Sequence, residues 1–142
     1  MVNTIQIIVD LLKDNWLPGN SNGIEPLITP IFEKKRVGGY DGIKTWIGVY
    51  LPADAEERVN DLGYNTVDRV EFLTIDIRSS ENYAHVLLVR DEVKRILRVN
   101  RKATTGFQLV IVKRIRDLSD ATRNMWRWIL EIELQVYAEA VI

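Results

Sequence analysis

The sequence predicts one α+β domain spanning residues 1–142, in which a mostly antiparallel sheet carries two helices packed on one face. Three observations lead to this prediction: a long final stretch with a period of two, two segments with an apolar stripe at helical spacing, and a composition typical of a single globular unit. The predicted order of elements is α-β-β-α-β-β.

The final stretch, MWRWILEIELQVYAEAVI, runs from Met125 to Ile142 and contains neither Gly nor Pro. Between Trp126 and Val136 a large apolar residue occupies every second position, and most of the intervening positions are charged or polar. A period of two is typical of a strand with one buried face. The stretch is longer than the usual strand of about 5–6 residues. We therefore expect its last residues, 138–142, to contact a neighbouring subunit.

Two segments have apolar residues at helical spacing. The first helix is predicted from Thr4 to about Trp16, and the second from about Glu81 to Asn100. Ser79 and Ser80 precede the second helix, and serine is a favoured N-terminal cap. The predicted core stripe of the second helix is Val86, Val89, Val93, Ile96 and Leu97.

The segments outside the helices predict three further strands and one long connection. Lys44–Leu51, Val70–Arg78 and Phe107–Arg116 are rich in β-branched and aromatic residues, as strands usually are. Pro26 and Pro30 exclude a central strand over much of Ile24–Arg36, which is compatible with a short edge strand. The polar segment Ala53–Arg69 predicts a loop with at most one helical turn. A connection of this length is usually functional.

The charges are distributed unevenly along the chain. Formal net charge is −1, which argues against a dedicated nucleic-acid-binding protein. Arg90–Arg116 contains nine Lys and Arg residues against Asp91 and Glu92, a net charge of +7, so the remainder carries −8. The sequence therefore predicts a surface with a basic and an acidic side. No apolar run approaches the ~20 residues needed to cross a bilayer, so we expect no membrane contact.

The sequence shows no residues arranged for catalysis, cofactor binding or metal binding. Cysteine is absent and His85 is the one histidine, which we interpret as a partly buried structural residue. Glu71 and Asp76 lie an odd number of residues apart on one predicted strand and therefore point to opposite faces. A metal-dependent nuclease is accordingly the weakest of the alternatives. We expect a protein that is not an enzyme and that has no cofactor.

A basic stripe on the second helix is the most specific functional signal. It consists of Arg90, Lys94, Arg98 and Arg101, and it lies away from the apolar stripe. A solvated helix face explains such a run in most proteins, and a surface for nucleic acid or for an acidic partner is the sharper interpretation. Aromatic residues are not interleaved with these charges, which disfavours stacking on single-stranded nucleic acid.

Three pieces of the chain resemble a known group of proteins. They are VRDEVKRILRVNRK (Val89–Lys102), RIRDLSD (Arg114–Asp120) and the closing strand of alternating large residues. Together with the short N-terminal helix, they resemble tail terminator, or tail completion, proteins of long-tailed bacterial and archaeal viruses. In that family a compact α+β subunit forms a hexameric ring that caps the tail tube and docks onto the head connector. The resemblance covers most of the chain and is strongest from Val70 onward.

This resemblance implies a structural virion protein at the head-proximal end of the tail, assembled in the host cytoplasm. The implied partners are further copies of the chain in a hexameric ring, the tail tube protein, the head-tail connector protein and, without sequence specificity, DNA in the lumen. Alternatives are a neck or head-tail connector ring component and a nonspecific nucleic-acid-binding module. The residues implied at subunit or partner contacts are Arg90, Lys94, Arg98, Arg101, Arg114, Arg116, Asp117 and Asp120.

Overall fold

The computed structural model describes residues 4–23, 25–30, 45–51, 58–61, 67–101, 109–123 and 125–137. These ranges form two α-helices, six strands and two short 3-10 helices at 18–21 and 121–123. The predicted contact segment 138–142 lies outside them. The helices are α1 (Thr4–Asn15) and α2 (Tyr83–Val99). The strands are β1 (Leu27–Pro30), β2 (Thr45–Tyr50), β3 (Arg58–Asp61), β4 (Val67–Ser79), β5 (Leu109–Asp117) and β6 (Trp126–Tyr137).

The six strands form one sheet, whose main path runs β1-β2-β4-β6-β5. β1 and β2 are parallel, and the other pairs of described strands are antiparallel. β4 and β6 form the central pair, which extends over twelve residue pairs from Asp68 with Tyr137 to Ser79 with Trp126. β4 also has two partners on its other side, because its first residues pair with β3 and its later residues pair with β2.

Both helices cover the same face of the sheet. α1 contacts β1 and β2, α2 contacts β4, β5 and β6, and the two helices contact each other. Burial of each large aliphatic side chain contributes roughly 1.5–3 kcal/mol, so this layer is the main source of stability. The fully buried aliphatic residues of the sheet alternate along their strands, as a period of two requires: Ile47, Val49, Leu73, Ile75, Ile77, Leu130, Ile132 and Leu134.

The predicted fold class is confirmed, and the order of elements needs two additions. β1 is a short edge strand within the proline-containing segment Ile24–Arg36. β3 lies in the segment Ala53–Arg69, for which we predicted a loop with at most a helical turn, so that prediction was wrong for Arg58–Asp61. β3 pairs with the first four residues of β4, and β4 accordingly begins at Val67 rather than at Val70. Pairing between strands outweighs the weak local preference of this polar segment.

The N-terminal cap of α2 is Asn82, so the predicted serine cap was wrong. The Asn82 side-chain oxygen accepts a hydrogen bond of 2.8 Å from the backbone N–H of His85, which is the usual capping geometry. Ser79 remains in β4, where its hydroxyl accepts from the N–H of Glu81 at 3.2 Å. The apolar stripe predicted for this helix is fully or almost fully buried.

A bulge in β5 changes which side chains face the helices. Val112 and Arg114 pair with adjacent residues of β6, so Lys113 is the extra residue. Val112 packs against the core before the bulge, and Ile115 packs against it after the bulge. Without the bulge, strict alternation would place Arg114 on the helix-covered face. The bulge therefore keeps Arg114 and Arg116 on the opposite, uncovered face of the sheet.

Candidate interaction surface

A groove of about 630 Å³ runs between α2 and the edge strand β5, and we name it the basic groove. Its floor is apolar and is formed by Leu97, Val110, Val112 and Ile115. Its wall is formed by α2 and the turn that follows, and it carries Lys94, Arg98 and Arg101, all of which are exposed. Asp91 is the one carboxylate that lines it among the described residues. The periodicity of α2 places Lys94 and Arg98 side by side, the turn after the helix adds Arg101, and β5 supplies the apolar floor.

The three wall cations have no carboxylate of the described residues within salt-bridge distance. Arg95 also lines the basic groove, but its guanidinium is already used within the subunit. It pairs with Glu92 at 2.5 Å and donates to the backbone oxygen of Asn15 at 2.9 Å. Lys94, Arg98 and Arg101 are therefore the cations of this surface that have no ion pair with a described residue.

Arg90 belongs to the same helical stripe, yet the structure separates it from the groove wall. Its guanidinium carbon lies 4.4 Å from the centre of the Trp128 ring, and its Nη2 lies 2.8 Å from Asp91. The guanidinium of Arg90 therefore stacks on the Trp128 ring in a cation–π contact at the edge of the core. Trp128 occupies the core face of β6, as the alternation of that strand predicts.

Arg114 and Arg116 lie on the uncovered face of the sheet. Arg116 pairs with Glu131 of β6 at 3.1 Å, and Lys113 pairs with Glu133 at 3.5 Å. Arg114 is exposed and has no ion pair with a described residue. The basic residues therefore flank the β5 edge from both faces of the sheet. The structure therefore brings Arg114 and Arg116 to the same edge strand as the basic groove, on the other face of the sheet.

Asp117 and Asp120 hold the turn between β5 and β6 through bonds within the subunit. Asp117 accepts from the Tyr83 hydroxyl at 2.8 Å and from the N–H of Ser119 at 2.9 Å. Asp120 accepts from the hydroxyl and N–H of Thr122 at 2.6 and 3.1 Å. The Thr122 hydrogen bonds lower the pKa of Asp120. Burial favours a higher pKa for Asp117, but its hydrogen bonds outweigh burial and lower that pKa.

Sequence reasoning missed a buried charged cluster on the uncovered face, centred on Asp76. The Asp76 side chain is fully buried and accepts hydrogen bonds from Arg78, Arg127 and the Tyr50 hydroxyl, at 2.8–3.1 Å. Burial and the Asp76 carboxylate raise the pKa of Tyr50. The pairing of Arg78 with Arg127 across β4 and β6 was the available signal, because two arginines side by side need a shared carboxylate.

A second missed cluster joins the two helices. The fully buried carboxylate of Glu92 on α2 accepts from the N–H of Leu17 at 2.7 Å and from the Asn20 side chain at 3.0 Å, in addition to Arg95. Burial favours a higher pKa, but the hydrogen bonds from Arg95, Leu17 and Asn20 outweigh it and lower the pKa of Glu92. Glu92 therefore fixes the segment after α1 against α2.

The remaining residues considered for chemistry lie apart from one another. Nδ1 of His85 on α2 is 2.5 Å from a carboxylate oxygen of Glu81, which lies just before the helix. Glu71 and Asp76 lie on opposite faces of β4, as their spacing predicts. No group of three or more His, Asp or Glu side chains in the described ranges is placed to hold a metal ion. In the same ranges, no helix has both the length and the apolar character needed to span a membrane.

Comparison with solved structures finds the same fold in a chain described as "Virion of native gene transfer agent (GTA) particle". The two chains superpose with a TM-score of 0.65, over 96% of this chain and 100% of the other. Sequence identity is 12%. The shared property is the fold. No protein-family model and no curated protein sequence matches the chain.

Proposed function

We propose that this protein is a structural virion component that forms a ring at the head-proximal end of a viral or virus-like tail. In this role it caps the tail tube and joins it to the head connector, as a tail terminator does. Its partners are further copies of itself, arranged as a hexamer, together with the tube and connector proteins. It acts by binding and carries out no reaction.

The observation that carries this proposal is the fold shared with the gene transfer agent virion chain over nearly the whole length of both chains. Two features of the surface support it. The wall cations of the basic groove have no partners among the described residues, which suits a surface that meets another chain. The basic and acidic parts of the sequence are also separated, which suits a repeated contact between identical subunits.

Light scattering combined with negative-stain electron microscopy of the purified protein tests the proposal. A hexamer of the 16.4 kDa chain has a mass of about 98 kDa, and we expect closed rings of that mass. A closed ring with another copy number would favour the neck or connector component instead. A strict monomer at millimolar concentration would contradict ring closure by the free protein.

A nonspecific nucleic-acid-binding role is the second candidate, and the uncompensated charge of Lys94, Arg98 and Arg101 favours it. Contacts with phosphates release counterions, so such binding weakens steeply as salt increases. A gel-shift titration at several salt concentrations tests it, with the charge-reversed variant Lys94→Glu/Arg98→Glu as control. Tight, salt-sensitive binding by a monomeric wild-type protein, lost in this variant, would favour the binding module over the ring.

A further inference from the structure

β5 lies at an edge of the sheet, because β6 is its one partner among the described strands. The chain that leaves α2 covers the start of this edge, since the N–H of Val110 donates to the backbone oxygen of Arg101 at 3.0 Å. Within the described ranges, no backbone group bonds in this way to the rest of the strand. The section from Val112 to Asp117 therefore has an unpaired backbone edge.

The hydrogen bonds at the two ends of β5 show which of its backbone groups point away from β6. The N–H of Val110 points away, because it bonds to Arg101. The N–H of Leu118 points inward, where it donates to the backbone oxygen of Arg127 at 2.9 Å. These directions alternate along an antiparallel strand, and the bulge at Lys113 shifts the alternation by one residue. The outward groups are therefore those of Val112, Ile115 and Asp117.

The side chains around this edge are aliphatic or basic. Val112 and Ile115 form part of the floor of the basic groove, and both are partly buried. On the uncovered face, Arg114 is exposed and has no ion pair with a described residue. Lys94 and Arg98 lie on the groove wall. Cations therefore flank the edge on both faces of the sheet.

The basic side chains and the bulge exclude a second copy of β5 from this edge. Such devices protect a free edge against pairing with itself, because like charges would face each other across the new pair. They do not exclude a strand that carries carboxylates. The other strands at the edges of the described sheet, β1 (LITP) and β3 (RVND), do not alternate acidic and apolar residues. The described part of the chain thus has no edge strand that matches β5.

The same edge suits a polypeptide better than a nucleic acid. Outward N–H and C=O groups match the backbone of an extended peptide, which can add to a sheet as a further strand. The aliphatic floor of the basic groove gains stability by burying apolar side chains. None of the described residues that line the groove is aromatic, so a base finds no platform for stacking.

We propose that the free edge of β5 binds an extended segment of a partner protein in which acidic and apolar residues alternate. The segment pairs with the outward backbone groups of β5 and lies one step of ~4.8 Å beyond it. Its apolar side chains face the floor of the basic groove, and its carboxylates face Arg114. Lys94 and Arg98 add attraction from the wall. The contact needs one subunit only, so it goes beyond the proposed ring and does not depend on it.

Amide hydrogen exchange in the presence of a peptide tests the strand pairing. The probe is a peptide of about eight residues in which valine and glutamate alternate, with both ends blocked. We expect the N–H groups of Val112 and Ile115 to exchange at least about tenfold more slowly when the peptide is bound. The N–H of Leu118 already bonds to Arg127, so its exchange should not change, and it is the internal control.

Fluorescence anisotropy of the labelled peptide tests the charge requirement. Arg114→Glu and Lys94→Glu/Arg98→Glu should each weaken binding by at least about tenfold, because like charges then meet across the contact. A chain with all three substitutions should bind a peptide in which lysine replaces glutamate. Lys13→Glu on the exposed part of α1 is the matched control and should leave the affinity unchanged.

Each outcome supports or overturns the contact. Slower exchange at Val112 and Ile115 supports it, even in a monomeric protein that forms no ring. Rings that bind no peptide at millimolar concentration would overturn the contact and leave the ring standing. Single-stranded DNA that displaces the peptide and slows none of these amides would assign the cations to nucleic acid. Amides of β5 that are already protected in rings without peptide would assign the edge to a neighbouring copy, and the partner segment would then be wrong.

Discussion

Asp76 shows how a single carboxylate stabilises an otherwise open sheet face. Two arginines and a tyrosine converge on it, so its charge compensates Arg78 and Arg127 at once. The stack of Arg78 over the Trp46 ring, at 5.6 Å, further restricts the cluster. These contacts thus connect β2, β4 and β6 at the centre of the uncovered face, although no helix of the described residues covers it.

Replacing Asp76 with Asn should lower the free energy of unfolding by about 3–5 kcal/mol, because two partly buried arginines lose their shared counter-charge. Urea unfolding followed by tryptophan fluorescence measures the change. Asp91→Asn removes an exposed carboxylate of the same type and is expected to cost at most about 0.5 kcal/mol. Equal losses in the two variants would show that the Asp76 cluster has no special part in stability.

Glu92 connects two secondary-structure elements, because it fixes the chain after α1 to α2. Its pKa in the folded protein is lowered from the ordinary value of 4.5. The unfolded chain therefore binds more protons between the two pKa values, and stability increases with pH across that window. The contribution of Glu92 is complete above about pH 4.5 and is lost as the pH falls through the folded-state pKa.

Glu92→Gln should destabilise the fold by about 2 kcal/mol at pH 7, since the amide keeps its acceptor oxygen but loses the charge that pairs with Arg95. Thermal unfolding between pH 7 and pH 3 measures it. The wild type should lose stability more steeply below pH 4.5 than Glu92→Gln does. Parallel pH profiles for the two proteins would contradict the assigned role, and Asp91→Asn again serves as the control.

The bulge in β5 leads to a further prediction about the register of this strand. Deletion of Lys113 removes the extra residue, so one half of β5 must present its opposite face to the helices. That change buries Arg114 or exposes Val112, and we expect a loss of at least about 3 kcal/mol. Lys113→Ala keeps the bulge and should stay within about 0.5 kcal/mol of the wild type. A deletion variant as stable as Lys113→Ala would show that the register tolerates the change.

For the whole molecule, the exposed cations of the basic groove imply that assembly through this surface depends on salt. The screening length falls from about 10 Å at 0.1 M to about 3 Å at 1 M ionic strength, which weakens exposed contacts far more than the core. The proposed peptide contact should therefore weaken in 1 M NaCl while the circular dichroism of the fold stays unchanged. A peptide affinity that persists at 1 M NaCl would indicate a mainly apolar contact. Anisotropy of the labelled peptide across a salt series measures the transition.

The layers of the fold were predictable where one periodicity governs a whole element. The alternation from Trp126 to Val136 identified β6, and helical spacing identified α1 and the core stripe of α2. β3 was not predictable, because Arg58–Asp61 has little strand preference and depends on its pairing with β4. The cap at Asn82 was missed because the two serines shortly before it, Ser79 and Ser80, are also plausible caps.

The candidate surface was predictable only on its helical side. Helical spacing brings Lys94 and Arg98 together, and that part follows from the sequence, whereas Arg101 lies in the turn beyond the end of α2. The groove itself depends on how β5 lies against α2, and so on the bulge at Lys113. Val112 and Ile115 are three positions apart, so strict alternation would place them on opposite faces of the strand. Both are aliphatic, and only a bulge places both on the core face. This odd spacing was the signal of the bulge available in the sequence.

The twelve-residue pairing of β4 with β6 has a mechanical consequence for a subunit that, as proposed, joins a tail tube to a head connector. At ~3.4 Å per residue the pair is a strut about 40 Å long. Its interstrand hydrogen bonds lie perpendicular to the strands, so tension along the strut loads many of them in shear at the same time. A force that pulls the ends of β4 and β6 apart along this axis should therefore meet far more resistance than one that peels β1 from its edge. The subunit would transmit a pull along the strut with little extension.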